Sequence, residues 1–106
     1  MDLAVEIYKH TQSFPKAETF GLTSQARKSA VSVAANIAEG FGRENPGSFA
    51  QFLRMAQGSL KELETHILIA ERVGLVDANT SAPLLHQCGE VGKMLGSLIR
   101  KVSART

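Results

Sequence analysis

Apolar residues recur along this chain at steps of three and four, and no stretch alternates apolar and polar positions for long. That period belongs to helices, not strands. The first segment puts Leu3, Ala4, Ile7, Tyr8 and Thr11 on one face, and the predicted helix ends near Phe14, because Pro15 biases the residue before it away from helical backbone. Residues 15–22, with Pro15 and Gly21, read as a connector. Thr23 is the expected N-cap of a second helix. Its apolar face reads Ala26, Ala30, Val33, Ile37 and Phe41, and Gly40 and Gly42 mark its end. The link RENPG follows, with Asn45 as a cap and Pro46 in the first turn of a third helix. Phe49, Phe52, Leu53, Ala56, Leu60, Leu63, Ile67 and Ala70 form the stripe of that helix, and Gly74 is its stop. A fourth helix starts at Asp77 or Thr80, with Pro83 near its boundary, and carries Leu84, Cys88, Val91, Leu95, Leu98 and Val102 in a heptad-like stripe.

Short links between helices of this length imply antiparallel neighbours. The expectation is an all-α fold, an antiparallel up-down-up-down four-helix bundle, with residues 1–106 forming a single domain. The first helix looks half as long as the third. At 106 residues with 43% apolar composition, a core forms without staples. Cys88 is the one cysteine, so no internal disulfide exists, which fits a reducing, cytoplasmic setting. The opening residues include Asp2, Glu6 and Lys9 and do not read as a signal peptide. No apolar run approaches the roughly 18 to 20 residues of a membrane span.

The second helix carries another stripe beside the apolar one: Gln25, Ser29, Ser32, Asn36 and Glu39. Ser59 and Glu62 on the third helix are the expected partners. The stripe reads first as a structural polar network fixing helix register. A catalytic or ligand site on Asn36 and Glu39 is the lesser alternative, since nucleophile and base are missing. No metal site is expected. Di-metal bundles use Glu-x-x-His, whereas Glu62 and His66 stand four apart with Thr65 at the required position. No cofactor fingerprint occurs. Cys88 falls on a core stripe and reads as a buried structural thiol. Bundle RNases resemble one another in an Arg-x4-His motif, and here Lys61 stands where the Arg would be before His66. Gly89, Gly92 and Gly96 share one side of the fourth helix, for close packing within the bundle or for contact with another subunit.

The net charge of +2 is too mild to point to nucleic acid by itself. The charge is uneven, however: Lys93, Arg100, Lys101 and Arg105 follow Glu90 with no acid among them. Cations suit a helix C-terminus, and the same residues form a candidate phosphate-contacting patch, with Arg27, Lys28 and Arg43 joining it if they share a face.

Residues 25–64 carry a further pattern. Ser32, Val33, Asn36, Ile37, Ala38, Glu39 and Gly40 are followed by Ala56, Gly58, Ser59, Glu62 and Glu64, and Gln25 also fits. The run resembles the four helix bundle protein family, also called the 23S rRNA intervening-sequence protein family. The resemblance implies a cytosolic bacterial protein and no catalysis. It also implies a homo-oligomer, a pentamer in the family, with a possible RNA or RNA-handling protein as partner. A related branch is the accessory variability protein of diversity-generating retroelements, which binds a reverse transcriptase and nucleic acid. The expected function is a non-enzymatic oligomeric binding module, the alternative a self-assembling scaffold with no nucleic-acid role.

Overall fold

The structure, a computed structural model, describes residues 2–12 and 21–105. It contains four helices: α1 (Asp2–Thr11), α2 (Leu22–Phe41), α3 (Pro46–Arg72) and α4 (Ala78–Ser103). The described residues include no strand, and the fold is all-α. The expected end of the first helix at Phe14 and most of the following connector lie outside the described residues.

Each described terminus has a local cause. The α2 ladder starts two residues earlier than expected. The Gln25 amide already donates to the Gly21 carbonyl, so Gly21 takes the cap position. Thr23 therefore lies inside the helix, buried, and its hydroxyl has no partner. At the start of α3 the Asn45 side chain accepts from the Gly47 and Ser48 amides, and Pro46 occupies the first turn, where a missing N–H costs nothing. That helix closes in a Schellman motif. The Gly74 amide reaches the Glu71 carbonyl and the Leu75 amide reaches the Ala70 carbonyl, which requires Gly74 at φ +82°. Asp77 caps α4 by accepting from the Thr80 amide at 2.9 Å. Pro83 is exposed inside α4.

Leu53, Leu60, Leu63, Leu95, Val102 and Cys88 are fully buried along the α3–α4 seam, and Leu3 and Ile7 of α1 cap the other side. Two expected core aromatics are not in the core. Tyr8 is 44% exposed, with the Arg27 guanidinium over its ring 4.8 Å from the centroid. Phe41 is 63% exposed and touches the core only through a tilted contact with Phe49, at 5.0 Å between centroids.

In the bundle, α2 packs against α3, α3 against α4, and α1 against both α2 and α4. Among the described residues the backbones of α1 and α3, and those of α2 and α4, do not come close, so each pair sits at opposite corners and meets through side chains in the core. The most extensive seam is α2–α3. Gly40 makes its upper end possible: a Cβ there would stand 3.0 Å from the Phe49 ring.

Candidate nucleic-acid interface

The antiparallel order brings the end of α2, the start of α3 and the end of α4 to one end of the bundle. Arg43 stacks over Phe52 at 4.6 Å, joining the α2 terminus to α3. Arg54 donates to the Ser103 hydroxyl at 3.1 Å, joining α3 to the last turn of α4. Arg100, Lys101 and Arg105 are exposed on and just beyond that turn. The α4 dipole places its negative pole there, which favours this clustering of cations. Glu39 and Glu44 are the acids on the α2 side, and Glu39 is held by Arg43 at 3.1 Å.

The expected basic residues therefore divide. Arg43, Arg100, Lys101 and Arg105 lie at this end. Arg27 and Lys28 lie near the opposite end, about 24 Å from Arg43 at 1.5 Å per residue. Arg27 is also committed, since its Nε donates to the Thr11 hydroxyl at 2.7 Å while the guanidinium covers Tyr8. Lys93 lies two turns before Arg100, fully in solvent, with Glu90 at 3.9 Å. Sequence reading missed Arg54. Its signal was available in the hairpin geometry: the first turns of α3 must face the last turns of α4.

The polar stripe of α2 faces α3 over its middle part only. The Ser32 and Ser59 hydroxyls stand 2.7 Å apart, across the seam. The Asn36 amide donates to both the Ser32 carbonyl and its hydroxyl, at 2.9 and 3.1 Å. Ser29 approaches Glu62 at 3.4 Å. Gln25 and Glu39 lie outside this network. Gln25 is exposed at the first turn, and Glu39 turns to Arg43 on its own helix. Small residues at the seam let the hydroxyls meet directly.

Cys88 is buried, and desolvation, with the Glu64 carboxylate second, pushes its thiol up to about 12. It is a protonated packing group at neutral pH, not a nucleophile. Both ring nitrogens of His66 are buried without a partner beside Ile7, Ala26 and Leu84. Among the described residues no three His, Cys, Asp or Glu stand close enough to hold a metal ion. No described helix is long and apolar enough to cross a membrane.

The family model described as "23S rRNA-intervening sequence protein" matches residues 1–97. The chain belongs to the 23S rRNA-intervening sequence protein family. A protein of unknown function from the S23 ribosomal protein family of Bacteroides thetaiotaomicron, solved by crystallography, superposes with a TM-score of 0.83. The two are 24% identical, and the alignment covers 92% of each chain, so the bundle is a shared fold. No curated protein matches the chain. Neither the family description nor that of the structural neighbour names an enzymatic activity.

Proposed function

We propose that this member of the 23S rRNA-intervening sequence protein family is a non-enzymatic binding module whose basic bundle end contacts RNA. The observation that carries the reading is that Arg43 of the α2–α3 link, Arg54 of α3 and Arg100, Lys101 and Arg105 of the last turn of α4 and beyond lie at one end, with no acid between Glu90 and Arg105. Guanidinium groups suit phosphate because their donors form a planar fork. The family description names an RNA, which makes RNA the polyanion to try first.

The experiment is binding of a short single-stranded RNA to the purified protein at two salt concentrations, with the mass in solution recorded alongside. With about five phosphate contacts, affinity falls about a hundredfold between 50 and 200 mM salt, since the logarithmic slope is near −0.7 per contact. Replacing Arg100 and Lys101 by Ala lowers both the affinity and that slope. Failure to bind at low salt overturns the reading.

A second reading, a scaffold built from copies of the chain, is favoured by the flat outer face of α3 and α4. A Cβ at Gly58 or Gly89 would meet nothing within 4 Å, so close packing inside the bundle does not account for these glycines. An oligomer that binds no RNA supports this alternative.

A further inference from the structure

Three of the chain's five phenylalanines fall within residues 41–52, where α2 turns into α3. Phe49 packs against the core, its ring set against the space that a Cβ on Gly40 would fill. Phe52 is half-buried, with the Arg43 guanidinium 4.6 Å from its centroid. Phe41 is 63% exposed and leans on Phe49 at 55°. A single exposed apolar side chain is ordinary on a protein surface. Here its surroundings matter more than its exposure. Arg43 stands two residues further along the chain, half-exposed and held on two sides, by the Phe52 ring and by the Glu39 carboxylate at 3.1 Å. Its plane is therefore fixed before any ligand arrives.

Charge divides this end of the bundle. The α2–α3 turn carries Glu39 and Glu44 beside Arg43, which makes it a poor seat for phosphate. The last turn of α4 and the residues beyond carry Arg100, Lys101 and Arg105, with no acid between Glu90 and Arg105. A cationic part and an aromatic part thus share one end of a molecule 22 by 18 Å across. At about 3.4 Å per stacked nucleotide, a single strand crosses the wider dimension in about six nucleotides.

We propose that the α2–α3 turn is a base-stacking platform, which makes RNA with unpaired bases the substrate class of this end. The inference rests on the RNA reading above and deepens it. The α4 cations hold phosphates, the Phe41 ring receives one base, and the fixed Arg43 plane receives another. Bases stack on aromatic rings and on guanidinium planes with little regard to sequence. In a duplex those base faces are already covered by neighbouring pairs, so a duplex cannot use the turn. Electrostatics alone selects the opposite ligand, because a duplex carries about twice the phosphate charge per unit length of one strand.

The test compares three labelled probes by fluorescence anisotropy with the full chain at low salt. They are an oligouridylate of about twelve nucleotides, an RNA duplex of the same length, and an abasic strand with as many phosphates as the oligouridylate. The oligouridylate is expected to bind at least about fivefold tighter than either of the others. Phe41→Ala is expected to lose at least about fivefold on the oligouridylate and nothing on the abasic strand, with the salt slope unchanged because no charge is removed. Phe41→Trp keeps a stacking ring and reports on it directly, since the chain contains no tryptophan. Its fluorescence is expected to be quenched by the oligouridylate and not by the abasic strand, a readout that stands even if Phe41→Ala perturbs the turn. Salt-dependent binding in which the duplex or the abasic strand matches the oligouridylate overturns the platform and leaves the RNA reading in place. Binding indifferent to Phe41→Ala, without base-dependent quenching in Phe41→Trp, does the same. Binding of none of the three probes overturns both. A multimer whose mass falls in Phe41→Ala assigns Phe41 to a contact between copies and overturns the platform.

Discussion

Two glycines of similar appearance in the sequence have opposite reasons to exist. Gly40 is buried, and an added methyl would press on the Phe49 ring edge at 3.0 Å, a ring already held against Phe41. Gly40→Ala is expected to destabilise the protein by about 1–3 kcal/mol, the usual cost of overpacking a fitted seam. Gly89 has open space around its Cβ position. Gly89→Ala in the isolated chain is expected to stabilise it by up to about 1 kcal/mol through helix propensity. Urea unfolding of both variants against the parent checks the pair of signs. The pattern of apolar positions does not separate them. Gly40 reads as a helix stop, because glycine there is indistinguishable from a C-cap until the Phe49 ring is in place.

At the scale of elements, the α2–α3 seam depends on a pair of hydroxyls. Ser59→Ala leaves the Ser32 hydroxyl with the Asn36 amide as its remaining side-chain partner, and is expected to cost about 1 kcal/mol. The double variant Ser32→Ala/Ser59→Ala costs less than the two single changes added, because removing both partners leaves no orphan. A double-mutant cycle by chemical denaturation measures this coupling. Ser32, Asn36 and Ser59 were legible from spacing, since helical periodicity states which residues share a face. Gln25 and Glu39 were not legible as outsiders. A stripe kept at steps of three and four drifts around a straight helix, so its ends leave the interface that its middle occupies. Caps that depend on one side chain, Asn45 and Asp77, were readable. The start of α2 was not, because a backbone carbonyl at Gly21 took the place expected for Thr23.

For the whole molecule, the order of helices was readable from short links and glycine stops, while the grouping of charges was not. Sequence supplies a roll of cations, and only the fold divides it into an end that collects Arg43, Arg54, Arg100, Lys101 and Arg105 and an opposite end where Arg27 is tied to Thr11 and Tyr8. The diagonal arrangement has a kinetic side. The backbone of helix α1 stays away from that of α3, and α1 is fastened by the burial of Leu3 and Ile7 and by the Arg27 clamp, while α2, α3 and α4 pack in series without it. It can therefore lift away while the other three stay closed, as a separate unit of opening. In native-state amide exchange the protons of α1 are expected to be replaced first, well before those of α3, and Arg27→Ala should speed α1 while leaving α3 slow. The shortest helix is thus expected to act as a cover of the core, its opening exposing Ala26, Ala30 and Leu84 to water without global unfolding.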